Sequence, residues 1–240
     1  MVTFVLVPGG WSGGRIWKKL TPSLCAAGHD VHTPTPTGLG ERVHLAHLDV
    51  DLETHITDIV NVLVSEDLRD VILVGWSYGG MIITGVADRV PERLAQLVYF
   101  DAVVPRDGQS EYDADPNVAG RHAAERVAEE AGTPGFQPVP VDYLRARVAD
   151  EADLEWLLAK MVPHPIATFS QPLQLRNPTA EEIPRTFIFC TEGKEAGFQT
   201  IQTAKQLQQD PGWRYRELAG NHLAPVNATD ETAALLLSLI

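Results

Sequence analysis

Gly75-Trp76-Ser77-Tyr78-Gly79 is the segment whose residue types and spacing most directly suggest chemistry. It fits G-x-S-x-G, with the apolar run Val71-Ile72-Leu73-Val74 before it and a helical pattern from Met81 to Val90 after it. A serine on a tight strand-to-helix turn presents its hydroxyl at the carboxyl end of a sheet, beside the positive end of the following helix. Glycines flank such a serine because side chains there strike the adjoining strand and helix. Read blandly, the five residues are a glycine-rich turn with a bystander serine; the strand and helix around them favour a nucleophile.

A serine hydroxyl needs a general base, and the chain has eight His. His222 lies just beyond the last predicted strand, in Ala219-Gly220-Asn221-His222-Leu223, a loop that a parallel sheet brings to the same edge as Ser77. His29 and His32 flank the second strand, and His55 falls within a helix, so these are read as structural or solvated. His164 is a candidate to line a pocket. His44, His47, Asp49 and Asp51 have no spacing of a recognised metal motif, and no metal ion or cofactor is expected. A tetrahedral acyl intermediate also needs N–H donors. Pro8-Gly9-Gly10-Trp11 follows the first strand where one belongs, and the amides of Gly10 and Tyr78 are the predicted pair.

These groups must be positioned by the elements around them. Val2 to Val7, Asp30 to Thr35, Val71 to Gly75, Leu97 to Phe100, Thr186 to Cys190 and Arg214 to Leu218 read as strands. Helical spacing occupies Ile16 to Leu24, Ile56 to Leu63, Met81 to Val90 and Thr232 to Ile240. Alternation of the two implies an α/β fold with a mainly parallel sheet and helices on both faces. The pattern breaks between Pro105 and Pro184, where helices are predicted at Ala123 to Ala131 and Tyr143 to Met161. Residues 106–183 therefore read as a helical insertion over the sheet of a 1–240 domain.

The chain has 240 residues, 44% hydrophobic, long enough to bury a core without a metal or disulfide staple. Its net charge of −13 argues against nucleic acid or an anionic membrane surface as partner. Cys25 and Cys190 form no spaced motif, and the apolar run at the start lacks a basic flank, so a soluble cytoplasmic protein is expected. A homodimer is left open.

Several segments in order resemble the α/β-hydrolase superfamily, in the branch of plant methylesterases, hydroxynitrile lyases and bacterial pyrethroid-hydrolase-type esterases. They are the turn from Pro8 to Gly14 leading to Trp17, Thr37-Gly38-Leu39-Gly40-Glu41-Arg42, Gly75 to Gly80, Asp101-Ala102-Val103-Val104-Pro105, Phe169-Ser170-Gln171-Pro172-Leu173, and Asn221-His222. The resemblance implies a Ser-His-acid mechanism without cofactor, and an insertion that acts as a cap. Three departures stand out. Pro8 replaces the family's His after the first strand. Leu223 and Gly9 stand where the lyases carry Lys and Thr, which disfavours cyanohydrin cleavage. Cys190-Thr191-Glu192-Gly193 has Gly where the family places its acid.

A carboxylate is still expected, to hold the imidazole tautomer and stabilise the imidazolium. Asp101, after the fourth strand, is narrowly preferred over Glu192 and Glu195. Trp76, Trp156, Met161 and Phe169 suggest an apolar, partly aromatic pocket, with core packing as the alternative for at least two of them. The expected function is a serine esterase acting on a small hydrophobic ester, with carbamates and amides as further classes. A catalytically weak binding protein of the same fold and a lyase are the rivals.

Overall fold

The computed structural model describes residues 1–114, 120–194 and 199–240. In chain order it contains β1 (Thr3–Val7), a 3₁₀ helix (Gly14–Lys18), α1 (Thr21–Ala26), β2 (Asp30–His32), a second 3₁₀ helix (Gly40–Leu45), α2 (Leu52–Ser65), β3 (Val71–Trp76), α3 (Gly79–Arg89) and β4 (Leu94–Phe100). Next come α4 (Glu111–Ala114), α5 (Arg121–Glu130), β5 (Phe136–Gln137), α6 (Val141–Arg145), α7 (Glu151–Leu158), β6 (His164–Pro165) and α8 (Ile166–Ser170). β7 (Arg185–Cys190), α9 (Gln199–Leu207), β8 (Trp213–Leu218), α10 (Ala224–Asn227) and α11 (Thr229–Leu237) complete the order.

Six strands form a parallel sheet in the order β2-β1-β3-β4-β7-β8. Period-two alternation divides each central strand between two apolar layers. Phe4, Leu6, Ile72, Val74, Val98 and Phe100 face one layer, completed by Trp17 and Leu236 from flanking helices and by Leu20 just before α1. Val5, Val7, Leu73, Leu97 and Tyr99 face the other, against Ile56 and Ile59 of α2 and Met81 and Ile83 of α3. Helices therefore cover both faces, which is why these strands read as continuous apolar runs.

Parallel register then sets where functional groups emerge. Val7 pairs with Gly75, Trp76 with Phe100, Phe100 with Ile188 and Cys190 with Leu218. The segments after β1, β3, β4, β7 and β8 consequently leave the same carboxyl edge.

Local chemistry shortens several predicted elements. β2 ends at His32 rather than Thr35, because Pro34 and Pro36 carry no N–H for a ladder. The predicted helix from Ile16 to Leu24 splits into the first 3₁₀ helix and α1, which restarts with Pro22 in its first turn. Tyr143 to Met161 divides into α6 and α7, where the Asp150 side chain accepts from the Asp153 amide and starts a new helix. Between β4 and β7 the chain also makes an antiparallel pair, β5 with β6, too short to leave a periodic signal in sequence. Asp51 caps α2 through a reciprocal box with Thr54, which accounts for one of the acidic residues near His44 and His47. Among the described residues no helix is long and apolar enough to cross a membrane.

The strand-to-helix bend at β3 tolerates almost no added atoms. A Cβ at Gly75 would lie 2.6 Å from the Gly79 carbonyl oxygen, and one at Gly80 only 1.9 Å from the Val103 carbonyl oxygen. Both obstacles are backbone, so neither can rotate away. Gly80→Ala is expected to destabilise the fold by at least about 3 kcal/mol or to prevent soluble folding. Gly132→Ala, at a φ of +71° with nothing within 4 Å, should cost only about 1 kcal/mol. Urea midpoints of the two variants measure the difference.

Candidate active site

Ser77 occupies the bend with φ at +56°, a left-handed backbone that costs a non-glycine residue roughly 1–2 kcal/mol. The surrounding bonds hold it there. The Ser77 amide donates to the Phe100 carbonyl at 3.3 Å, and its own carbonyl accepts from Gly80 at 3.0 Å and Val103 at 3.1 Å. β4 and the segment after it thus fix the turn that β3 and α3 create.

Asp101 is also left-handed, at φ +45°, and its amide donates to Ile188 of β7 at 2.7 Å. Its carboxylate is fully buried and has three donors. His222 Nδ1 lies 2.7 Å from Oδ2, Lys194 Nζ lies 2.6 and 2.7 Å from the two oxygens, and the Cys190 amide donates to Oδ1 at 3.2 Å. Burial pushes the Asp101 pKa up, but the bonds and charges of His222 and Lys194 outweigh it and hold the carboxyl below its ordinary range. An ionised Asp101 accepts from Nδ1–H, which leaves the Nε2 lone pair of His222 to face elsewhere.

The His222 loop has its own supports. The Trp76 indole N–H donates to the His222 carbonyl at 2.8 Å, and the two rings lie 5.2 Å apart. Asn221 donates to the Arg147 carbonyl and accepts from the Leu223 amide, at 2.8 and 2.9 Å. Of the other acid candidates, Glu192 is exposed, its amide donating to Gly220. Glu195 lies outside the described residues.

Ser77, Asp101 and His222 border one cavity of about 250 Å³. Trp11, Trp76, Tyr143, Leu144, Met161 and Phe169 give it an apolar, aromatic wall, with Glu111 and Thr200 as polar elements. Gly10, which has only backbone to offer, lines it too, and Tyr78 stands at the N-cap of α3, where amides lack intrahelical acceptors.

Trp156 corrects the expectation from sequence. It borders a different cavity, beside Ser12, Gly13 and Ile16. α7 buries Leu154 and Leu157, and a residue one position from Leu157 points about 100° away from that face. His164 likewise does not border the 250 Å³ cavity; it is buried behind Phe169, with the rings stacked at 4.2 Å. Lys194, Thr200 and Glu111 were not singled out from sequence. The only signal for Lys194 was its place beside Gly193, where the resemblance expected the acid. Among the described residues no group of three or more His, Cys, Asp or Glu is arranged to hold a metal ion.

Behind Ser77, Tyr78 sends its hydroxyl inward to His55. His55 Nδ1 lies 3.0 Å from Tyr78 Oη, and Nε2 lies 2.9 Å from the Thr37 carbonyl. A carbonyl only accepts, so Nε2 carries the proton and Nδ1 accepts from the tyrosine. Burial lowers the His55 pKa to about 4, against the opposing pull of the Thr37 carbonyl, Asp58 and Asp51.

The chain matches the model of the Alpha/beta hydrolase family over residues 4–235. It is 38% identical to a carbendazim hydrolyzing esterase from Nocardioides sp. (strain SG-4G), over all of both chains. It is 26% identical to the polyneuridine aldehyde esterase of Rauvolfia serpentina, over 80% of this chain and 78% of that one. Among solved structures, an extracellular alpha/beta-hydrolase from a Paenibacillus species superposes with a TM-score of 0.81 at 24% identity, covering 98% of each chain.

The buried imidazole of His55 makes stability depend on pH. Its pKa is about 4 folded against an ordinary 6.5, so the unfolded chain takes up a proton first as pH falls. The stabilisation is complete above about pH 6.5 and is lost progressively down to about pH 4, in total roughly 3 kcal/mol. Urea titrations at pH 7 and 4.5 should show wild type losing roughly 2–3 kcal/mol more than His55→Gln.

Proposed function

Because the chain belongs to the alpha/beta hydrolase family and is an esterase-type hydrolase, we propose that Ser77 is its acylated nucleophile, His222 the general base and Asp101 the acid that orients it. The 2.7 Å approach of His222 Nδ1 to the ionised, buried Asp101, beside the cavity that Ser77 also borders, carries this reading.

In the acylation step Ser77 Oγ forms a bond to the substrate carbonyl carbon, and its proton passes to His222 Nε2. Asp101 stabilises the imidazolium so formed. The carbonyl oxygen becomes an oxyanion that accepts from the amides of Gly10 and Tyr78. Collapse of the intermediate breaks the bond to the leaving group, which takes the proton from His222. Water then repeats the sequence on the acyl-enzyme, and the acid leaves with Ser77 restored.

The substrate class is a small, hydrophobic ester or carbamate. The apolar wall and the 250 Å³ volume support small size, and the relative named for hydrolysing carbendazim supports widening the class beyond simple esters. Leu223 and Gly9 favour hydrolysis over cyanohydrin cleavage. The net charge of −13 supports a small molecule rather than nucleic acid or an anionic membrane as partner. Cytoplasmic location is supported by Cys25 and Cys190 both being free thiols.

A fluorophosphonate probe should label wild type on Ser77, read by intact mass and peptide mapping. A panel of 4-nitrophenyl esters, aryl carbamates and cyanohydrins should show turnover of the first two. Ser77→Ala should lower kcat by roughly 10⁶ and Asp101→Asn by roughly 10⁴, while Glu192→Gln stays within about twofold. A folded wild type that takes no adduct, or that cleaves only cyanohydrins, would defeat the reading.

A further inference from the structure

The turn that carries Gly10 is held from outside the sheet. Trp11, the next residue, has a left-handed backbone at φ +60°. All three of its polar groups reach into the segment between β4 and β7. Its indole N–H donates to the Gln137 carbonyl at 3.0 Å, its carbonyl accepts from the Val162 amide at 3.0 Å, and its amide donates to His164 Nδ1 at 3.0 Å. Two of these partners are backbone groups that any residue supplies. The third is a side chain.

The His164 tautomer follows from its neighbours. Thr168 Oγ1 donates to the Pro165 carbonyl at 2.8 Å, so it accepts at 2.7 Å from His164 Nε2–H. The Nδ1 lone pair is thereby committed to the Trp11 amide. The ring is fully buried, stacked on Phe169 at 4.2 Å and set edgewise to Tyr78 at 5.1 Å. Burial holds its pKa well below the ordinary value, which keeps Nδ1 an acceptor. Phe169 in turn closes on Gly10, whose Cβ, if present, would meet the phenyl tip at 3.1 Å.

We propose that His164 is the positioning residue of the oxyanion turn: by accepting the Trp11 amide it prevents rotation of the Gly10–Trp11 segment and keeps the Gly10 N–H available to the cavity. This rests on the function proposed above. Without an acceptor the Trp11 N–H is an unpaired donor in a part-buried, strained turn flanked by glycines, and the turn relaxes by reorienting its peptides. The ring touches no substrate in this scheme; it acts through Trp11 and Phe169.

Three variants separate this role from simple packing. His164→Asn keeps an acceptor oxygen near the Nδ1 position, His164→Leu has nearly the same shape without it, and His164→Gln moves the amide outward toward the Nε2 position. On a 4-nitrophenyl ester, His164→Leu should lose roughly 10²–10³ in kcat, the scale of a lost oxyanion donor, with KM within about threefold. His164→Asn should stay within about tenfold of wild type in kcat, and His164→Gln should behave like His164→Leu. Hydrogen exchange at the Trp11 amide should be protected in wild type and His164→Asn and at least about tenfold faster in His164→Leu.

Equal kcat for the Asn and Leu variants, a loss confined to KM, or unchanged Trp11 exchange in His164→Leu would overturn the proposal. If His164→Leu does not fold, the Asn and Gln pair decides by the same two readouts. The exchange measurement needs no turnover, so a wild type that hydrolyses nothing would sink the catalytic assignment while the anchoring of Trp11 is still decided.

Discussion

A carboxylate sealed away from water remains charged only when its surroundings supply donors and positive charge in compensation. Asp101 meets that condition with His222, Lys194 and the Cys190 amide, and those partners come from the loop after β8 and from β7 and the segment that follows it. One buried group therefore joins the ends of three strands. Removing it would leave an ammonium and an imidazole with no common acceptor. The imidazole that faces Ser77's cavity is oriented by the same bond, so the integrity of this edge and the chemistry available there depend on a single pairing.

Backbone strain is concentrated at that edge. Of the non-glycine residues with positive φ among those described, Trp11, Ser77 and Asp101 follow β1, β3 and β4, neighbouring strands in the sheet. Ser77 and Asp101 come directly after their strands and turn the chain sharply there, while Trp11 does so four residues beyond β1. Each such residue is held by hydrogen bonds from an adjoining strand or from the segment between β4 and β7, as persistence of an unfavourable conformation requires. The sheet supplies rigidity, and the neighbouring segments supply the restraint.

Gly193 stands where the resemblance to the hydrolase branch implies an acid, and the carboxylate that meets His222 is that of Asp101 instead. Parallel register brings the end of β4 next to the end of β7, so a carboxylate after β4 reaches the same imidazole. Lys194 then shares the carboxylate, giving this edge an extra positive charge beside Asp101. Pro8, another departure, cannot donate from its backbone nitrogen or offer a polar side chain, and the turn after it takes its anchors from Gln137, Val162 and His164 instead.

Much of this arrangement was written locally. The central strands showed as apolar runs because both faces of the sheet are buried there, and the Ser77 bend showed in its glycines because the collisions that exclude side chains involve residues a few positions away or in the segment after the next strand. His222 was legible because parallel topology puts every loop after a strand on one edge. Other features depend on contacts between distant parts of the chain. Whether Asp101, Glu192 or Glu195 meets His222 turns on the register of β4 against β7, which no local pattern encodes. That Trp156 faces a different cavity is a matter of the rotation of α7, where apolar residues occur on more than one face. The burial of His55 and His164 as neutral hydrogen-bonding groups likewise arises only when α2, α3 and the segment between β4 and β7 close around them. The sequence alone determined which backbone shapes and reactive groups were available; tertiary packing decided their partners, because a buried charge or donor is satisfied by whatever the assembled fold brings within hydrogen-bonding distance.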